Sequence, residues 1–256
     1  MQREAEHNLI LGIADILRTH PVQNPFLATL EHDGEVVGCA FRTPPNKMSV
    51  TRMPEGAARI LGERAVQLFD DAPAVLGPEQ TATTVAKIIA DARGKRIQLG
   101  KPQRIYELHD VDLPGNPPAG RLRLAQNSDI DVIGKWLDEF ARETDHGPGD
   151  TRSYALAHVT GKTMFVWEDE GEPRATALWA AKTPHGVRIG FVYTPPEFRG
   201  RGYASICVAE ASQRALNAGF SFCCLYTDLT NKTSNNIYQK IGYRPVADVY
   251  DVELVG

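Results

Sequence analysis

The sequence is short of several things, and each shortage excludes a class of function. It holds four cysteines in 256 residues, Cys39, Cys207, Cys223 and Cys224, with neither metal-ligand spacing nor a disulfide framework. No metal site is expected. Three of the cysteines fall inside apolar runs, where a thiol acts as a small hydrophobe, so a reducing, cytoplasmic setting is expected. An excess of basic residues is missing too. With 28 Lys and Arg against 32 Asp and Glu, the formal net charge of -4 provides no broad field for nucleic acid or an anionic membrane, and neither is expected as a partner. No stretch approaches the roughly 18 apolar residues needed to cross a bilayer. Residues 1–17 carry acidic side chains early and only a short apolar stretch, 9–13, followed by Asp15, so no signal peptide is expected.

What is present is a 42% hydrophobic chain, enough for one large core or two of roughly 100–150 residues each. Residues 110–120, Asp-Val-Asp-Leu-Pro-Gly-Asn-Pro-Pro-Ala-Gly, are too rich in Pro and Gly to continue a helix or an inner strand. They are read as a boundary between domains 1–115 and 116–256. Across it lies a faint repeat: Glu31-His32-Asp33-Gly34-Glu35 matches Glu168-Asp169-Glu170-Gly171-Glu172 at an offset of 137 residues, both as hairpin turns. After each turn a strand ends in Arg42-Thr43-Pro44 or Lys182-Thr183-Pro184. A second strand then leads to Pro54-Glu55 or Pro196-Glu197. Beyond that the halves diverge, the first passing into a helical pattern from Gly56 and the second inserting an Arg/Gly-rich turn. The reading favoured is a duplicated fold with one functional copy; chance likeness between hairpins is the alternative.

In the second half the pattern predicts strands at 121–124, 164–168, 174–181, 187–194 and 222–227, and a final strand pair around 246–254. Helices are predicted at 130–143, 203–217 and 234–241, the second ending at Gly219. Antiparallel strands joined by short turns, followed by a strand-helix-strand crossover, give an α/β class with a mixed sheet covered by helices.

The chemistry concentrates at Arg199-Gly200-Arg201-Gly202-Tyr203-Ala204, where a strand hands over to a helix. A helix N-terminus exposes unpaired N–H groups and roughly half a positive charge, so it favours phosphate. Gly200 and Gly202 let a ligand approach the backbone, while Arg199 and Arg201 add charge. No Lys-Ser or Lys-Thr closes this turn and the Gly-x-Gly-x-x-Gly spacing is absent, which argues against ATP and NAD. On these grounds alone the turn is equally a surface loop.

The stretch Val192-Tyr193-Thr194-Pro195-Pro196-Glu197-Phe198-Arg199-Gly200-Arg201-Gly202-Tyr203-Ala204 resembles the GNAT acetyltransferase signature, Arg/Gln-x-x-Gly-x-Gly/Ala. Downstream, Asn231, Ser234, Tyr238, Gly242 and Tyr243 form Asn-x-x-Ser-x-x-x-Tyr-x-x-x-Gly-Tyr, which is similar to the second motif of that family. The resemblance covers about 121–254. It implies tandem GNAT-like domains, the first degenerate because Pro54-Glu55-Gly56 lacks the phosphate-binding turn, and transfer of an acetyl group from acetyl-CoA to an amine of a small molecule or protein. It further implies cofactor contacts from Val192, Tyr193, Thr194, Arg199, Gly200, Arg201, Gly202, Tyr203, Ala204, Ser205, Asn231 and Ser234, and Tyr238 as the acid that protonates the leaving thiolate. A homodimer is compatible with this reading.

Each role has a plainer alternative. Tyr238 also suits packing against the sheet, and Asn231 suits an ordinary helix cap. The strand 187–194 holds no carboxylate where several family members carry a base; Asp228, Glu143, Asp145 and His146 are the candidates, each also readable as a solvated loop residue. Cys223 and Cys224 read as strand packing. The acceptor groove is expected along 130–154, with Gly147, Pro148 and Gly149 marking a turning segment. A non-catalytic acyl-CoA-binding or interaction protein is the rival from another class, and a structural loop in an unrelated α/β protein is a third reading.

Overall fold

The computed structural model describes residues 4–19, 24–144 and 147–256. Its helices are α1 (Asn8–Thr19), α2 (Glu55–Leu68), α3 (Glu79–Ala92), α4 (Ile130–Thr144), α5 (Thr151–Thr160), α6 (Tyr203–Asn217) and α7 (Lys232–Ile241). Its strands are β1 (Phe26–His32), β2 (Glu35–Arg42), β3 (Met48–Val50), β4 (Ala74–Gly77), β5 (Arg96–Leu108), β6 (Arg121–Leu124), β7 (Met164–Asp169), β8 (Glu172–Lys182), β9 (Gly186–Tyr193), β10 (Phe222–Asp228) and β11 (Arg244–Val255). The chain forms two compact units. One gathers residues up to 105 with 226–232 and 245–256, and the other 106–225 with 233–244. The class is mixed α/β, as the pattern of the second half predicts.

The first unit places its strands in the order β1-β2-β3-β4-β11-β5. β1 to β3 pair antiparallel, β3 and β4 parallel, and β4 and β11 antiparallel. Its core joins Met48 and Val75 of the sheet to Leu61 and Ala65 of α2 and to Val85 and Ile89 of α3. In the second unit the order is β10-β9-β8-β7-β6, antiparallel from β6 to β9 and parallel between β9 and β10. One core lies under α6 (Ile206, Cys207, Ala211) against Val187 and Ile189, and another under α4 and α5 (Ile133, Leu137, Ala155, Val159) against Val166 and Leu178.

The repeat reaches the backbone. Asp33 and Gly34 have φ of 50° and 81°, and Glu170 and Gly171 have 54° and 80°; the same pair of left-handed residues closes the β1–β2 and β7–β8 hairpins. A register irregularity falls at Leu30/Glu31 in one hairpin and at Trp167/Glu168 in the other, again 137 residues apart. Each hairpin is followed by an antiparallel third strand, then a parallel fourth.

The final strand pair expected around 246–254 is instead one long strand, β11. A helix, α5, forms where the sequence predicts a loop; Asp150 caps it by accepting from the Ser153 N–H at 3.0 Å.

Two features give testable stability effects. A Cβ at Gly186 would lie 2.3 Å from the ring of Phe222, which is itself buried in the parallel ladder. Gly186→Ala should therefore cost roughly 1–3 kcal/mol through overpacking, read as a lowered denaturation midpoint. On β6, Arg123 donates to both oxygens of buried Asp129 (2.6 and 3.0 Å) and, through Nε, to Glu168, which also receives Arg121. The hydrogen bonds from Arg123 and then Arg121 hold the Glu168 carboxyl below the usual carboxylate range. Stability from this contact is present above the ordinary carboxylate pKa and is lost as pH falls through the lowered value. The thermal midpoint should fall below about pH 4. Glu168→Gln should lower it at neutral pH and flatten that acid decline.

Candidate functional site

The site begins with β9. Its ladder to β10 runs only from Phe222↔Gly186 to Cys224↔Arg188, so from Ile189 onward that edge of β9 is released from its parallel partner. Backbone N–H and C=O groups on such an edge favour an extended, amide-bearing ligand. On the opposite edge, Leu178 pairs with Gly190 and Thr176 with Tyr193, so β9 carries one residue more than β8 in this interval. The bulge centres on Phe191, whose φ of 42° is unusual for a residue with a side chain. It resets the alternation. Val187, Ile189 and Val192 pack into the α6 core, whereas Phe191 and Tyr193 both turn to α4.

At the end of β9, Thr194 is buried and its hydroxyl has no hydrogen-bond partner among the described residues, an orphan that a ligand group would satisfy. A short 3-10 turn, Pro196–Phe198, then leads to Arg199. Gly200 and Gly202 take φ of 77° and 83°, the left-handed conformations that make glycine the fitting residue. Gly202 is the N-cap of α6, has no side chain to cap it, and is followed by a first turn free of acidic residues. The amides of Tyr203, Ala204 and Ser205 thus begin a helix with no side-chain cap. A Cβ at Gly200 would meet nothing within 4 Å, and at Gly202 only Pro118 at 3.6 Å. This cradle fits a phosphate group. The matching helix of the first unit, α2, starts instead after Pro54 with Glu55 in its first turn, a carboxylate that disfavours a second anion at that end.

The two arginines differ. Arg199 donates Nε to the Thr194 carbonyl (2.8 Å) and Nη2 to both oxygens of Glu143 (2.7 and 2.9 Å), with its guanidinium 5.5 Å from the Tyr193 ring. It braces the turn. Arg201 is exposed and lies beside Phe198. Tyr203 is buried and its hydroxyl donates to Asp169, which anchors the first turn of α6 and leaves the backbone amide as its contribution to the cradle.

Helix α7 presents Tyr238, buried between the rings of Tyr106 (6.4 Å) and Tyr243 (5.9 Å). Burial alone pushes its phenol up to about 12, so the hydroxyl keeps its proton at neutral pH. Tyr106 fixes the helix by donating to Asn235 (2.8 Å) and accepting from Gln239 (3.2 Å). Ser234 is half-buried near the start of α7; Asn231 is exposed, immediately precedes the helix, and groups with the other unit.

Among the candidate bases, Asp228 accepts from the N–H and hydroxyl of Thr230 (2.7 and 2.6 Å), closing its own turn. Glu143 is paired with Arg199. Asp145 and His146 lie outside the described residues. Cys223 and Cys224 are buried, and burial pushes the Cys223 thiol up to about 12, in keeping with packing rather than nucleophilic work. One residue escaped the sequence reading: Glu139, whose Oε2 accepts from the Tyr193 hydroxyl at 3.0 Å. The helical spacing of Glu139 and Glu143 was visible, but nothing in sequence tied that face of α4 to β9.

Residues 130–243 match the model of the Acetyltransferase (GNAT) family. No curated protein matches the chain. Among solved structures, a GNAT-family acetyltransferase from Colwellia psychrerythraea is similar at 11% identity and a TM-score of 0.63, covering 98% of this chain and 97% of that one. A GCN5-related N-acetyltransferase from Kribbella flavida gives 14% and 0.65, with coverage of 100% and 95%. A tandem GNAT protein from the clavulanic acid biosynthesis pathway gives 14% and 0.58, with coverage of 96% and 88%. At these identities the likeness is one of fold, and it extends over both halves of the chain.

Proposed function

We propose that this protein, whose residues 130–243 match the model of the GNAT acetyltransferase family, transfers the acetyl group of acetyl-CoA to an amine of a small molecule or protein, acting in the cytoplasm as two tandem GNAT-like domains, 1–115 and 116–256, the first degenerate. The observation that carries the reading is the uncapped start of α6 behind two left-handed glycines, beside the released edge of β9. The amides of Tyr203, Ala204 and Ser205 receive the pyrophosphate, with Arg201 adding charge and Arg199 holding the turn. Val192, Tyr193 and Thr194 offer backbone groups to the pantetheine arm, and Ser234 completes the cofactor contacts. Bound there, acetyl-CoA supplies a thioester carbonyl open to attack.

The residues of this chain do the rest. Backbone N–H groups at the β9 bulge stand where preorganised donors favour developing negative charge on oxygen. Tyr238 holds a proton for the departing sulfur. The Phe140 and Phe191 rings, edge-on with centroids 5.4 Å apart, line the α4 side of β9. The test is thiol release from acetyl-CoA with a panel of primary amines, alongside thermal stabilisation by acetyl-CoA and by CoA. Amine-dependent release is expected. Stabilisation without release across a broad panel favours a non-catalytic acyl-CoA-binding protein, and absence of both defeats the reading.

A further inference from the structure

We propose that Glu139 is the general base of the transfer and that Tyr193 positions it, an inference that rests on the acyl-transfer reading above. Strand β9 supplies no carboxylate, but its bulge delivers a partner for one. With Phe191 at φ of 42°, the Phe191 and Tyr193 rings lie parallel (interplanar 3°, centroids 6.4 Å apart) on the α4 side. Phe140 of α4 meets both edge-on, at 5.4 and 6.4 Å, and Trp136 lies 6.3 Å from Tyr193. The Tyr193 hydroxyl donates to Glu139 Oε2 at 3.0 Å and lies 3.5 Å from Glu143 Oε1.

The two carboxylates are not equivalent. Both oxygens of Glu143 are occupied by Arg199, and its side chain is 45% exposed. Glu139 is 23% exposed, and among the described residues its Oε1 has only Lys135 Nζ nearby, at 3.7 Å, beyond hydrogen-bond reach. One oxygen of Glu139 is therefore fixed by a neutral donor and the other is open to take a proton. Burial and the neighbouring carboxylates hold the Tyr193 phenol well above its ordinary value, so this donor stays protonated. The charged and titratable groups facing Glu139 are Lys135 and Glu143 on its own helix, the neutral Tyr193 phenol from β9, and Arg199 behind Glu143. From α5, Arg152 turns to Asp131, and Tyr154 and His158 stack on each other.

The protons balance. An ammonium acceptor gives one nitrogen proton to Glu139 Oε1, which passes it to solvent. The nitrogen lone pair forms the C–N bond as the C–S bond breaks, and the second nitrogen proton replaces the one that sulfur takes from Tyr238.

The experiment measures kcat and kcat/KM for acetyl transfer to the amine panel from pH 5 to 10, in wild type, Glu139→Gln, Glu139→Asp and Tyr193→Phe. Glu139→Gln should lower kcat by about 10²- to 10⁴-fold, leave the KM for acetyl-CoA unchanged and abolish the acid-side fall of kcat/KM. Glu139→Asp should restore part of the rate with that acid limb, and Tyr193→Phe should lower kcat about tenfold, a partial loss suited to a positioning role. A Glu139→Gln enzyme with wild-type rate and pH profile overturns the proposal and leaves the acetyltransferase reading standing. Should Glu139→Gln no longer bind acetyl-CoA, Glu139→Asp decides: a fall in rate without the acid limb overturns it. A wild type inactive with every amine overturns both.

Discussion

Replacing Gly202 with tryptophan should abolish stabilisation by acetyl-CoA and lower acetyl transfer at least 100-fold, with little loss of stability in the free protein. Gly202 holds φ of 83° at the N-cap of α6, and space around its Cβ position is open except for Pro118 at 3.6 Å. A side chain there strains the backbone by roughly 1–2 kcal/mol and, more importantly, fills the approach to the first amides of α6. Because the indole would displace ligand rather than protein, the ligand-dependent shift of the denaturation midpoint should vanish while the unliganded midpoint moves by a few degrees at most. A variant still stabilised by acetyl-CoA to the wild-type extent places the ligand elsewhere.

Tyr238→Phe is expected to lower kcat by about 10²- to 10⁴-fold while leaving binding of acetyl-CoA intact. Removal of one hydroxyl leaves the ring packed between Tyr106 and Tyr243, so the fold has little reason to change. The sign of the pH dependence follows from the raised pKa: an acid with its phenol near 12 is protonated throughout the usual range and fails only above it. The wild-type kcat should therefore show no alkaline decline below about pH 10 on account of this group, because proton donation is lost only as pH passes the pKa. Unchanged turnover in Tyr238→Phe removes it from the chemistry.

Much of the second half was legible because local rules and tertiary outcome agree. The α6 bounds follow from Gly202 before Tyr203 and Gly219 after Asn217, with the left-handed φ of 97° at Gly219 closing the helix. The hairpin repeat was readable as Asp-Gly and Glu-Gly turns, and the structure extends it to a register irregularity that no residue type announces. The pattern does not announce helix α5 because its apolar residues do not gather on one face, with Ala155 and Val159 buried but Leu156 exposed, and because Gly147, Pro148 and Gly149 signal a turn just before it. The single strand β11 replaced an expected pair because the chain stays extended through Asp248 and Asp251. Those aspartates are held by Arg104 and Lys47, contacts far away in sequence.

The candidate site divides the same way. The Arg/Gly turn and Tyr238 are carried by local motif and spacing. Glu139 is not, since a carboxylate on an amphipathic helix looks solvated until the bulge at Phe191 turns Tyr193 towards it. Arg199 carries a contact that its charge does not announce: its guanidinium spans the Thr194 carbonyl and Glu143.

The central claim is that one of two related halves holds acetyl-CoA, at the uncapped start of α6. Calorimetric titration of acetyl-CoA into the intact protein tests it most directly. One equivalent should bind per chain in the wild type and none in Gly202→Trp. Absence of binding, two equivalents per chain, or one equivalent that survives Gly202→Trp would contradict it.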